Sequence, residues 1–220
     1  MKRCFVVERS FARPTYSASL DAKSANALAA LVPLLGCGEE AAVVGFDRLS
    51  RASGLDHRAR TLLQNIADEE RNHDAMLRSL RAALPRVVED AAAQQRTRRL
   101  HLSLSRGGTV LHLARIAGLD AAVCTILSRL LRPGRALSND DCVRSVLSHI
   151  RSDETRHVLV SRDLALAAPH RQAVRSAAAE ARAGLAELLA YGADAFEVLG
   201  VDPDRLVRDI GYLPNGLLPQ

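Results

Sequence analysis

Apolar residues recur along most of the chain at alternating three- and four-residue steps, the spacing of one buried helical face. The pattern starts near Leu20 and predicts a first helix to about Ser53, kinked or restarted at Pro33 and stopped by Gly54. Asp56 caps a second helix that reaches Leu84 before Pro85. A polar, Arg- and Gln-rich helix follows over 86–104, and Gly107-Gly108 breaks it. A third apolar helix runs from Thr109 to Leu131, closed by Pro133-Gly134. Asn139 or Asp140 caps a fourth, which ends near Ala168 before Pro169. An Ala-rich fifth helix covers roughly 170–199, and a short piece at 203–210 precedes a Pro- and Gly-containing tail. Residues 1–18 read as irregular, and no segment alternates like a strand. The expected fold is all-α: one domain over 1–220, a bundle of long antiparallel helices.

Each long stripe is interrupted near its middle by a carboxylate. The first reads Leu35, Glu39, Ala42, Phe46; the second Ile66, Glu70, His73, Leu77. The third reads Ile116, Asp120, Val123, Leu127; the fourth Ile150, Glu154, His157, Ser161. Glu39, not Glu40, falls on its stripe. Buried ions are too costly to leave unpaired, so four inner acids at one depth need a common partner. Two divalent cations would offset the four carboxylates, and two neutral imidazoles would complete the coordination. The i, i+3 spacing puts Glu70 with His73, and Glu154 with His157, on one helical face. Each of these glutamates follows another acid, Glu69 or Asp153. A metal-bound imidazole normally donates its outer N–H to such a group. On facing helices Glu69 is expected to orient His157, and Asp153 to orient His73.

Composition narrows the picture. Aromatics are only 3% of the chain, without Trp, so Leu, Val, Ile and Ala must build the core. That favours helices over a β-sandwich and excludes an aromatic platform for single-stranded nucleic acid. The net charge is +5, and all basic residues except Lys2 and Lys23 are arginine. They are interleaved with acids, as on a solvated surface, and no nucleic-acid partner is expected. The run Arg96-Thr97-Arg98-Arg99 is a solvated face or a dock for an acidic reductase or carrier. Cys4, Cys37, Cys124 and Cys142 form no CxxC pair. The start is too short for a signal peptide, and no 18-residue apolar run is apparent. A reduced, cytoplasmic protein without membrane association is expected.

The segments Glu39-x-x-Ala42-x-x-x-Phe46, Asp68-Glu69-Glu70-Arg71-Asn72-His73 and Asp153-Glu154-Thr155-Arg156-His157 resemble the ferritin-like non-haem di-iron carboxylate superfamily. The resemblance covers about residues 30–165. In that family two helices each give a carboxylate and two give Glu-x-x-His. It implies a ferritin-like four-helix bundle at about 30–168, with additional N-terminal and connecting helices and a C-terminal helical extension over 169–220. It also implies two iron ions, or manganese, on Glu39, Glu70, His73, Asp120, Glu154 and His157. Asp120 departs from the pattern, since the third helix usually offers Glu.

An oxygen-rich donor set with only two imidazoles suits iron or manganese better than zinc or copper. Within the superfamily, Tyr16, Tyr191 and Tyr212 lie off the ligand stripes, against a tyrosyl-radical role. No CxxC marks a rubrerythrin, and the long fifth helix departs from an iron-storage cage. The expectation is a di-iron monooxygenase or oxidase that activates O2 to hydroxylate or N-oxygenate a small organic substrate in biosynthesis, with an external electron donor. Arylamine N-oxygenases share a similar Asp-Glu-x-Arg-His stretch and carry an extra histidine one turn earlier. Here Ile150 holds that position and His149 falls one residue before it. Ala42, Phe46 and Cys124 are candidates for the substrate pocket. Gly38 and Gly118 either leave room there or serve close helix packing. His112 lies two turns before Asp120, at the site's edge or in the core. Helix 171–190 packs on the bundle or forms a homodimer face. Two alternatives stand beside this. A haem-oxygenase-like di-iron oxidase would use Asp153 in place of Glu154 and leave Glu39 unligated. A ferritin-like iron-binding or stress protein would have no organic substrate.

Overall fold

The computed structural model describes residues 3–7, 11–12, 14–88 and 90–212, and these are helical with no strand among them. Four long helices carry the stripes: α1 (Ala22–Ser50), α2 (His57–Ala82), α4 (Thr109–Leu130) and α6 (Asp141–Leu166), with the shorter α3 (Ala91–Leu104) and α5 (Ala136–Asn139) between them. Beyond them lie α7 (Arg171–Leu189), a 3-10 turn at Ala190–Gly192, α8 (Ala193–Val198) and α9 (Pro203–Gly211). Aspartates start most of the long helices by accepting from backbone N–H groups that have no helical partner. Asp21 takes those of Lys23 and Ser24, Asp56 that of Ala59, and Asp140 that of Val143. Asp140 also accepts from Ser19, which ties the N-terminal segment to the start of α6.

Several boundaries differ from the sequence pattern. Pro33 lies inside α1, which neither breaks nor restarts there. The polar helix begins at Ala91, where Asp90 caps it. The turn α5 after Gly134 is a separate element. The expected fifth helix is split at Tyr191-Gly192. A Cβ on Gly192 would sit 2.6 Å from Leu31 Cδ2, so the missing side chain lets α1 seat against the turn. Residues 213–220 of the expected tail lie outside the described residues.

Helix α1 pairs with α2, and α4 with α6; α2 and α6 join the two pairs, while α7 lies on α4 and α3 spans α1 and α7. Apolar side chains collect in two large clusters. One gathers Leu28, Leu77, Leu127, Leu147 and Phe196; the other gathers Phe46, Leu63, Leu113 and Val174. The interrupted stripes place Glu39, Glu70, His73, Asp120, Glu154 and His157 together as a buried polar group in the middle of the bundle helices. Helices α1 and α4 are long and apolar enough to cross a membrane by length and composition, which corrects the expectation that no segment is. In this fold most of those apolar windows are buried inside the bundle.

Gly118 settles one of the open choices about small residues. A Cβ there would lie 2.5 Å from the Ala178 carbonyl oxygen, so this glycine lets α4 and α7 touch backbone to backbone. Gly118→Ala is expected to destabilise the protein by about 1–3 kcal/mol through overpacking. A Cβ at Gly45 would meet only His112, at 3.7 Å, an ordinary contact. Thermal unfolding of the two alanine variants checks this: Gly118→Ala melts lower, and Gly45→Ala melts at or above the parent.

Candidate metal centre

Residues Glu39, Glu70, His73 and Glu154 bring one ligand atom each within 4.8 Å of one another, and so do Asp120, Glu154 and His157. Both groups are buried and share Glu154. All six sequence-predicted ligands therefore meet. His73 points Nδ1 at Glu39 Oε2 (3.2 Å), Glu70 Oε2 (3.4 Å) and Glu154 Oε1 (3.6 Å). His157 points Nδ1 at Glu70 Oε1 (3.0 Å) and Glu154 Oε2 (3.5 Å). Glu70 and Glu154 thus each face one oxygen toward each imidazole. Glu39 stands at the His73 end and Asp120 at the His157 end.

The outer ring nitrogens are held crosswise. His73 Nε2–H donates to Asp153 Oδ2 at 3.1 Å, and His157 Nε2–H donates to Glu69 Oε2 at 2.8 Å. The hydrogen bond from His73 keeps the Asp153 carboxyl down at about 2, and the one from His157 lowers that of Glu69. Ionised carboxylates only accept, so a neutral ring keeps its one proton outward and turns its Nδ1 lone pair inward, the form that would ligate a metal. Sequence reasoning missed the residue that links these two acids. Arg156 Nη2 reaches Glu69 Oε1 (2.7 Å) and Asp153 Oδ1 (3.0 Å). Its i, i+3 spacing from Asp153 was visible in the sequence; its reach to α2 was not.

The group fits a cation on polar bookkeeping. One Nδ1 makes at most one hydrogen bond, yet three carboxylate oxygens crowd that of His73. His157 Nδ1, Glu70 Oε2 and Asp120 Oδ2 are buried with no hydrogen-bond partner among the described residues. Without a metal, protons must take its place. Burial and the Glu70 charge hold Glu39 well above the usual carboxylate range, and burial and the Glu154 charge do the same to Asp120. Burial opposes charging of His73 and His157, but the surrounding carboxylates outweigh it and raise both. Burial alone would raise Glu70; the two imidazoles outweigh it and lower it. These buried His, Glu and Asp groups can hold a metal ion.

No protein-family model matches the chain, and no curated protein matches it. Glu40 faces away from it and accepts from the Cys4 and Phe5 backbone N–H groups at 2.7 and 2.9 Å. Asp153 lies behind His73, on the outer side. The half-exposed His149 stands farther out, with Nε2 3.4 Å from Asp153 Oδ2.

An apolar cavity of about 170 Å³ adjoins the centre, and Glu39, Glu70, Asp120 and Glu154 form part of its wall. Ala42 and Phe46 line it, as the stripe predicts. Cys124 does not; Val123 lines it instead. Val123 sits three residues after Asp120, on the same face, whereas the Cys124 thiol turns to α6, 3.7 Å from Thr155 Oγ1. Two histidines also line the cavity, His101 from α3 and His112 from α4. Burial lowers both to about 4, so both are neutral.

Removing a carboxylate behind a histidine is a direct test of the crosswise arrangement. Glu69→Gln and Asp153→Asn are each expected to weaken metal binding by about 10- to 100-fold. Competition with a coloured chelator measures this, and Glu40→Gln is expected to leave the affinity unchanged.

Proposed function

We propose that the protein is a ferritin-like di-iron oxygenase or oxidase that activates O2 to oxidise a small organic substrate. The observation that carries this is the pair Glu70 and Glu154, each facing one oxygen to each of two inward imidazoles beside an apolar cavity. Glu39, Glu70, His73, Asp120, Glu154 and His157 would hold the metal pair, with Glu39 at the His73 end and Asp120 at the His157 end. A donor set of four carboxylates and two imidazoles suits iron, with manganese the nearest substitute. When bound in the ferrous state, such a pair supplies two electrons to O2, and an external donor restores them.

The chain's own residues supply the rest. Asp153 and Glu69 fix the imidazoles through their outer N–H groups, and Arg156 fixes both acids. Ala42, Phe46, Ile116 and Val123 present apolar surface that excludes water from the cavity. The bundle and the helices around it form one ferritin-like unit, with α7 to α9 as its C-terminal extension.

The cavity favours a substrate-using enzyme over an iron-binding protein without one. The inward position of Glu39 and Glu154, with Asp153 outside, favours the ferritin-like ligand set over the haem-oxygenase-like one. Anaerobic loading with ferrous iron followed by exposure to O2 tests the reading. An O2-dependent absorbance change is expected, decaying faster with a true substrate. A loaded protein that gives no O2-dependent signal contradicts it. Size-exclusion chromatography with metal analysis separates a small species holding about two irons per chain from a cage holding many.

A further inference from the structure

The cavity wall is apolar along most of its length, but one end adjoins an open groove. Val44, Arg48, Ser105 and His112 line both the cavity and an open groove outside it. Arg51 and Arg106 also line that groove. The guanidinium groups of Arg48, Arg51 and Arg106 have no hydrogen bond or ion pair among the described residues. Asp47, an acid in the groove wall, is engaged by Arg71 and does not neutralise them. Three cations with no partner among the described residues therefore line one groove. His112 stands at the mouth where groove and cavity meet, buried, with its ring over Gly45 and no hydrogen-bond partner among the described residues. A neutral imidazole there offers one donor and one acceptor.

The distance from mouth to metal follows from the helices. Arg48 comes nine residues after Glu39 on α1, and His112 eight residues before Asp120 on α4. At 1.5 Å per residue these spans are about 13.5 and 12 Å.

We infer that the cavity takes an amphipathic organic anion, with its acidic head at Arg48, Arg51 and Arg106 and its apolar body extending inward to Glu39 and Asp120. Arginine pairs a carboxylate or phosphate head through two parallel hydrogen bonds, and the apolar interior rejects the charge. The head stays at the mouth, and the end of the molecule farthest from it meets the metal centre. This names the substrate class of the proposed oxygenase and rests on that reading for the chemistry at the inner end. The binding itself does not depend on it.

Calorimetric titration of the full-length, metal-loaded protein under nitrogen tests the inference with decanoate, decyl phosphate and decan-1-ol. At least one of the two anions is expected to bind about tenfold or more tighter than the alcohol, and the tighter anion identifies the head group. Arg48→Ala and Arg106→Ala are each expected to erase about tenfold of that preference, with the alcohol's affinity falling by less than the anion's. Ala42→Trp fills the cavity and is expected to abolish binding of all three. Anions that bind no tighter than the alcohol overturn the inference. So do arginine variants that keep the full preference, or undiminished binding in Ala42→Trp. Because O2 is excluded, a protein that binds the anion in this way but never reacts with O2 contradicts the oxygenase and leaves the binding site standing.

Discussion

Glu70→Ala is expected to empty both positions of the proposed metal pair at once. Glu70 Oε1 lies 3.0 Å from His157 Nδ1, and its Oε2 lies 3.4 Å from His73 Nδ1, so its loss removes an oxygen from each position. It also leaves the two imidazoles facing fewer anions, which weakens attraction for the remaining cations. Glu39 and Asp120 each stand at one end only. Glu39→Ala is therefore expected to lose roughly half of the bound metal, and Glu70→Ala nearly all of it, with affinity down by well over about 100-fold, more than the loss of an outer-shell partner. Metal analysis after loading and desalting reads the difference. Retention of full stoichiometry by Glu39→Ala would remove that residue from the ligand set and favour the haem-oxygenase-like arrangement. Glu70→Gln keeps shape without charge and separates loss of ligation from loss of packing.

The second large effect is a pH dependence that metal abolishes. In the metal-free protein His73 and His157 have raised pKa values, so their stabilising contribution is present at low pH and lost as pH climbs through the folded values. Glu39 and Asp120 are also raised, so above about pH 4 the unfolded chain ionises them while the folded protein does not. All four act with one sign and lower metal-free stability as pH rises, by up to about 1.4 kcal/mol per pH unit for each proton difference, whereas the lowered His101 and His112 act in the opposite sense below about pH 6.5, equally with and without metal. Glu70 and Asp153, which are lowered, act in the opposite sense, but only in the acid range below about pH 4. Bound metal replaces the inner protons and removes their share of the dependence, and loading releases protons. Chemical denaturation of metal-free and loaded protein at about pH 6, 7.5 and 9 checks this. The gap between the two forms is expected to widen toward alkaline pH. A constant gap would mean that the inner groups are not the ones titrating.

The centre was legible in the sequence because its residues sit on a strong period. A carboxylate inside an otherwise apolar three-four stripe has one place to point. The crosswise partners were legible for the same reason: an acid one residue before a ligand is rotated by one helical step toward the facing helix, where the other histidine stands. The cavity was less legible. Its outer wall includes α3, whose polar sequence has no stripe to say which neighbours it covers, so His101 carried no sign that it meets Gly38. Cys124 was misplaced by one residue of helical rotation, a small step in sequence and about 100° around the axis. Gly118 and Gly192 could not be told apart from glycines that make room, because what fills the space beside them comes from distant residues, Ala178 and Leu31. The mouth was hidden in composition: in a chain this rich in arginine, only the fold shows that Arg48, Arg51 and Arg106 share an opening.

The central claim is that the buried group holds a metal pair that reduces O2. Dissolved-oxygen uptake by anaerobically loaded ferrous protein, beside Glu70→Ala treated identically, tests it most directly. The parent is expected to bind about two irons per chain and consume O2 far faster than the same iron free in buffer, with Glu70→Ala no faster than the buffer. Parent protein that holds its iron and leaves dissolved O2 at the buffer rate would contradict the claim.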